Sequence, residues 1–107
     1  MAARARDINP DITVHTLVGC YTAAERERFF ADYDYVVDAI DLVSCKVDLI
    51  MSCRVRGIPI ISALGTGNKR DASLLEITDI SKTYGCALAR VVRKELRARG
   101  VEHHTVV

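Results

Sequence analysis

Two carboxylates, Asp38 and Asp41, stand three residues apart where an apolar run ends, in the stretch DYVVDAIDLVSCKVDLI, and Lys46 follows Asp41 by five. Carboxylates so placed suit a hydrated magnesium ion, which commonly takes one or two of them together with phosphate oxygens. The structural alternative is that Asp41 caps the helix that follows and Asp38 makes a local hydrogen bond. Lys46 has the same two readings. It either contacts a phosphate near that rim or is an ordinary solvated surface lysine.

The remaining chemistry-bearing residues give weaker signals. Gly65, Thr66 and Gly67, followed by Asn68, Lys69 and Arg70, resemble a phosphate cradle in composition but lack the complete G-x-x-x-x-G-K-[ST] pattern. Cys20, Cys45, Cys53 and Cys86 form no C-x-x-C pair, so neither a zinc ribbon nor a redox motif is supported, and no zinc is expected. Scattered cysteines of this kind read as small core hydrophobes. Cys86 has a second reading as a reactive thiol, because the start of a helix lowers a thiol pKa. His103 and His104 lack partners at metal-ligand spacing and read as an exposed pair. Arg90, Arg93, Lys94, Arg97 and Arg99 read as a solvated basic face.

The elements that must position these residues alternate. Residues 12–18, ITVHTLV, follow the turn signal Asn9-Pro10-Asp11 and predict a strand. Thr22 and Glu25 form a capping box that opens a short helix through Phe29 and Phe30. Residues 34–40 predict a second strand, without clean alternation, as in a parallel sheet buried on both faces. Val43, Val47, Ile50 and Met51 mark a helix ending near Gly57. Residues 58–64 predict a third strand, 65–73 a loop and 74–80 a fourth strand. Leu88, Val91, Val92 and Leu96 mark a final helix stopping at Gly100, and residues 103–107 look like the opening of another strand. Strands alternating with helices predict an α/β domain with a mostly parallel sheet, in which ligands bind beyond the carboxyl ends of the strands. Asp38 and Asp41 then lie at the ligand rim.

A chain of 107 residues, half of them hydrophobic, predicts one domain or a piece of one. Fifteen basic residues against 14 acidic ones leave a net charge of +1, so no overall field draws the chain to nucleic acid or membrane. With no spanning apolar segment and no export signal, the expected location is the cytoplasm.

The series INPD, DYVVDAID, Lys46, CRVRGIP, GTGNKRD, ITDISKT and ALARVVRKELRARGV, in this order, resembles the ubiquitin-activating-enzyme-like adenylyltransferase superfamily. Its ending looks most like the tRNA threonylcarbamoyladenosine dehydratase branch. The resemblance covers nearly the whole chain; each motif is modest alone, and their order and spacing carry it. It implies a Rossmann-like sheet with flanking helices that binds ATP and magnesium and activates a carboxylate as its acyl-adenylate. In that branch the carboxylate belongs to a modified adenosine of tRNA, which then cyclises. In sibling branches it belongs to a small sulfur-carrier protein, and a non-catalytic dimerisation or binding module is the alternative of a different class. The resemblance implies Asp41 at the metal and ATP phosphates, Lys46 close to the phosphates, and Asp38 supporting the turn. Cys86 and Ala87 stand where relatives often carry Asp-Pro.

Relatives of this kind begin with a strand, a glycine-rich nucleotide loop and a second strand, none of which is found here. The expectation is therefore that residues 1–107 form a partial adenylyltransferase domain, lacking the N-terminal nucleotide-binding half and inactive alone. In the Rossmann strand order, residues 12–18 and 34–40 would be separated by the missing strands. Two escapes follow: direct parallel pairing of these segments, or edge pairing between two copies. A homodimer is the expectation.

Overall fold

Val43, Val47 and Ile50 recur at helical spacing, and burying that stripe turns residues 43–56 into the longest helix of the domain. The computed structural model describes residues 1–65, 72–84 and 86–107. In chain order the elements are α1 (Ala2–Ile8), α2 (Arg26–Phe29), β1 (Val36–Asp38), α3 (Val43–Arg56), β2 (Ile60–Ser62), β3 (Thr78–Asp79), α4 (Ala87–Ala98) and β4 (Thr105–Val106). Short 3₁₀ turns lie at Ala23–Glu25, Ala72–Leu74 and Ile80–Lys82. Residues 66–71, most of the glycine loop, lie outside the described residues.

Both long helices stop where their glycines dictate. Gly57 takes φ +70° and Gly100 φ +81°, a left-handed turn that costs glycine no Cβ clash. The chain then folds back, with the Ile58 N–H donating to Cys53 O at 2.9 Å and the Val101 N–H to Leu96 O at 2.8 Å. At the other end of α4, Cys86 is the N-cap and its sulfur accepts from the Ala89 N–H at 3.4 Å. The capping box also forms: Thr22 Oγ1 accepts from the Glu25 N–H at 3.3 Å.

The sheet runs β1-β2-β4-β3, with the first two pairings parallel and the last antiparallel. This is the expected mostly parallel α/β sheet. Its last strand corrects one expectation: residues 103–107 do not merely open a strand but place β4 inside the sheet, where Val106 pairs with both Ser62 and Thr78. The strand expected over 74–80 shortens to Thr78–Asp79.

Residues 12–18 form no strand, contrary to their propensity. They run along the surface, held at Val14 O by Arg6 and at Val18 O by Arg28. Direct pairing of this segment with β1 therefore does not occur. Propensity failed because a strand needs a neighbour, and this segment has none. Residues 20–33 instead dock on α3, where the Tyr21 hydroxyl donates to Asp48 Oδ2 at 2.7 Å and Arg26 forms an ion pair with the same carboxylate.

Alternation along the strands divides the sheet into unequal faces. Ile60 and Val106 point into a core with Ile50 and Cys53 of α3 and Val92 and Leu96 of α4, and Val36 packs against it. Val37 and Thr105 point the other way and are exposed, with Ile61 only partly covered. Both long helices therefore cover one face. Each fully buried Ile, Val or Leu contributes about 1.5–3 kcal/mol of transfer energy, so the covered face carries most of the stability.

Two polar residues share that covered face. His104 is 5% exposed and shares a hydrogen bond with buried Ser62, Nε2 to Oγ at 2.8 Å. The expected exposed histidine pair is thus half wrong: His103 is exposed, and strand alternation turns His104 inward. Cys20 likewise departs from the expected core role, being exposed, whereas Cys53 is buried. Arg93 leaves the expected solvated face and donates to Thr83 Oγ1 at 2.8 Å.

Burial, and after it the Arg54 guanidinium, push the His104 pKa below its ordinary 6.5; Asp38 pulls the other way, and the Lys46 ammonium and Asp79 add smaller effects of opposite sign. The folded state thus binds fewer protons here than the unfolded chain. Stability from this group is complete above pH 6.5 and is lost as pH falls below it toward the depressed folded value. The expected outcome is a Tm that drops between pH 7 and pH 5, with a shallower slope in His104→Gln. Thermal melts across that range check it, and equal slopes would assign the pH dependence elsewhere.

Candidate functional site

The carboxyl ends of β1, β2 and β4 meet at one rim, and the turn from β1 into α3 is its best-defined part. Asp38 ends β1 with its side chain on the covered face. Its Oδ1 accepts from the Ile40 N–H at 2.9 Å, closing a tight side-chain turn. Its Oδ2 meets the Lys46 ammonium at 2.9 Å as an ion pair, off the axis of a hydrogen bond, and takes no other donor. Lys46 also donates to Ile40 O at 2.9 Å. Both side chains are completely buried. A single ammonium thus ties the end of β1, the turn and the first turn of α3 into one clamp.

This geometry reassigns the residues expected to do chemistry. Lys46 is neither a solvated surface lysine nor a cation presented at the rim, because Asp38 and Ile40 hold it inside. The reason is its place on the helix, three residues after Val43 and four before Ile50, on the stripe that α3 buries. Asp38 has the turn-supporting role expected of it, and a carboxylate so enclosed has no face left for a metal.

Asp41 is different. It is exposed and makes no side-chain hydrogen bond or ion pair among the described residues. It does not cap α3 either, since Leu42 is the N-cap residue and no side chain bonds the first turn. The clamp therefore holds one bare carboxylate at the ligand rim, and a carboxylate of that kind fits a hydrated magnesium ion completed by phosphate oxygens. No group of three or more His, Cys, Asp or Glu side chains among the described residues forms a metal cage.

A cleft of about 600 Å³ opens on the same rim beyond β2 and β4, lined among others by Leu64, Gly65, Thr78, Thr83, Tyr84 and Cys86. Of these, sequence reasoning singles out Gly65 and Cys86. The buried Ser62–His104 contact beneath the rim was also missed. Its signal was present in the alternation of HTVV, which sends His104 to the same face as Val106. No helix among the described residues is long and apolar enough to cross a membrane.

Comparison with known proteins agrees with this arrangement. Residues 1–106 match the ThiF family. The chain is 45% identical over 104 residues to the tRNA threonylcarbamoyladenosine dehydratase of Bacillus subtilis, covering 95% of this chain and 41% of that protein. It is 41% identical over 99 residues to tRNA threonylcarbamoyladenosine dehydratase 2 of Saccharomyces cerevisiae, covering 90% of this chain and 22% of that one. The crystal structure of the Escherichia coli enzyme, TcdA, in complex with AMP superposes with a TM-score of 0.86 at 31% identity, over 98% of this chain and 46% of that chain. The same enzyme in complex with ATP gives the same score over 47% of its length. The chain thus spans less than half the length of these relatives. Its fold and its sequence agree with these proteins, and the chain belongs to the ThiF family.

Proposed function

We propose that this chain supplies the β1–α3 side of an ATP-dependent adenylating site in a tRNA threonylcarbamoyladenosine dehydratase, working in the cytoplasm where tRNA is modified. The carrying observation is Asp41, a free carboxylate held at the ligand rim by the buried Asp38–Lys46 clamp. Its support is the likeness to dehydratases, one of which has been crystallised with both AMP and ATP.

In this reading the rim binds the nucleotide phosphates, and Asp41 holds a magnesium ion against them. A magnesium ion bound there would neutralise charge on the nucleotide phosphates, and Asp41 is the residue that would hold it. Asp41 contributes by being placed before the nucleotide arrives, so no reorganisation accompanies the developing charge. Lys46 and Asp38 act at one remove. They are positioning residues that keep the turn, and so Asp41, in one geometry. The cleft bordered by Thr83, Tyr84 and Cys86 leaves room beside the phosphates for the carboxylate substrate. Adenylation of a sulfur-carrier protein would use the same rim with a different carboxylate.

The test is a chimera in which these residues replace the matched stretch of the Bacillus subtilis dehydratase. ATP-dependent cyclisation of threonylcarbamoyladenosine in tRNA is the expected activity. Activity on a carrier-protein C-terminus but not on tRNA would transfer the assignment to the sibling chemistry. In the chimera, Asp41→Asn should reduce adenylation by about 10²–10³-fold, the usual worth of one preorganised electrostatic group, with Tm unchanged. Pyrophosphate exchange at the unsubstituted rate would remove Asp41 from the site.

Lys46→Met should behave in the opposite manner. It strands Asp38 as an unpaired buried carboxylate, a change that costs about 3–5 kcal/mol. The expected outcome is a large fall in Tm and in denaturation midpoint, with activity lost in proportion to folded protein. A Lys46→Met protein of normal stability but without adenylation would instead place Lys46 at the reacting groups.

A further inference from the structure

The five cations expected on one solvated face of α4 separate into two kinds. Arg93 turns inward, donating to Thr83 Oγ1 at 2.8 Å and to Thr83 O at 3.0 Å. Arg99 pairs at 2.9 Å with Glu95, the single acid of the helix. Arg90, Lys94 and Arg97 remain, all exposed and without an ion pair or side-chain hydrogen bond among the described residues. At 3.6 residues per turn these three fall within about 60° of the helix circumference and about 10 Å of its length. They lie on the side away from buried Ala89, Val92 and Leu96. No acid stands three or four residues from any of them, the spacing at which a helix neutralises a cation. Like charges at that spacing repel, so α4 bears a local cost that a polyanion laid along the stripe would remove.

The stripe leads to an aromatic ring. Tyr84 is 93% exposed, on the lining of the 600 Å³ cleft at the ligand rim. Its neighbours hold it there: Arg93 grips Thr83 and also donates to Ile80 O at 3.3 Å, and Cys86 caps α4. A ring left in water contributes little to this fold, and a ring so presented suits stacking of a base. Arg90 opens the stripe one turn into α4, so the cations run outward from the cleft.

The surroundings of the stripe decide its partner. With a net charge of +1 the chain has no general pull on polyanions, and the attraction is local. A membrane surface takes a basic helix that also carries a broad apolar face. The exposed side of α4 offers only Val91, 42% exposed, with Ala87 and Ala98. A nucleic-acid strand matches both parts of the surface. Its phosphates recur every ~3.4 Å of rise, so about three of them span the stripe. Unstacked bases of a loop are free to meet the ring, whereas those of a duplex are stacked on one another.

We propose that Tyr84, Arg90, Lys94 and Arg97 form a docking surface for a single-stranded RNA loop, with a base stacked on Tyr84 and the phosphates running along α4. The choice of RNA rests on the dehydratase reading above. Binding is measured without ATP, so the two stand apart. RNA held by the stripe together with a chimera that does not cyclise would count against the adenylating reading alone. Cyclisation by a chimera whose stripe variants keep the parent KM for tRNA would overturn the docking surface alone.

The probe is a fluorescein-labelled RNA hairpin with adenosine in its loop, titrated with residues 1–107 at several salt concentrations and followed by anisotropy. Each phosphate contact in a single strand contributes about 0.7 to the salt slope, so Arg90→Gln, Lys94→Gln and Arg97→Gln together should flatten it by about 2. Tyr84→Leu should weaken binding about tenfold at an unchanged slope, and Tyr84→Phe should bind as the parent does. A blunt duplex of the same stem should not distinguish Tyr84 from Leu. All four positions are exposed, so the Tm should hold; should the triple variant fail to fold, Lys94→Glu alone is expected to weaken binding and flatten the slope. An unchanged slope in the charge variants, or parental affinity in Tyr84→Leu, would overturn the proposal. Tighter, stripe-dependent binding to phosphatidylserine vesicles than to the hairpin would also overturn it, by giving the stripe to a membrane.

Discussion

Everything at the rim depends on one buried ion pair. Removing Asp38 and Lys46 from water carries a desolvation cost of several kcal/mol per ion, which mutual attraction recovers only with good geometry. Here the ammonium meets both Asp38 Oδ2 and Ile40 O at 2.9 Å, while Asp38 Oδ1 is taken by the Ile40 N–H at 2.9 Å. An apolar pair of similar volume would serve stability at least as well. What an apolar pair cannot do is grip the backbone of the turn at both its N–H and its C=O. The clamp therefore sets conformation more than it adds stability, and the conformation it sets is the one that leaves Asp41 outside.

That arrangement resolves the competition between the two carboxylates. Groups three residues apart at a strand end have equal access to a cation in the unfolded chain. Strand alternation turns Asp38 toward α3, where Lys46 neutralises it, and the turn carries Asp41 past the end of the sheet into solvent. One acid becomes structure and the other stays available. The same logic reaches one strand further, where Ser62 and His104 satisfy each other beneath the rim in place of an ion pair.

The helices and their stops were legible in the sequence because their signals are local. Periodicity placed α3 and α4, Gly57 and Gly100 ended them, and the Thr22 box opened the short turn before α2. Asp38 as the support of the turn was also legible, through resemblance. Lys46 was misjudged although its environment was written in the stripe itself, since position 46 falls between Val43 and Ile50 on the buried side. Charge was given more weight than register there. His104 was lost for the same reason, since the alternation of HTVV already puts it on the same face as Val106.

Residues 12–18 show the limit of local reading most clearly. Their β-branched composition suits a pleated surface, but composition supplies only the tendency of each residue to accept an extended backbone. The larger stabilisation comes from ladder hydrogen bonds and from cross-strand side chains, and both belong to the neighbour. Without one, the segment satisfies its carbonyls with Arg6 and Arg28 and leaves Leu17 and Val18 exposed. β1 has a single neighbour, whereas β2 and β4 have two and form the centre of the sheet. Strand identity in this domain is thus a property of position in the sheet. The outer edge of β1 is the place where adding a neighbour would change it most.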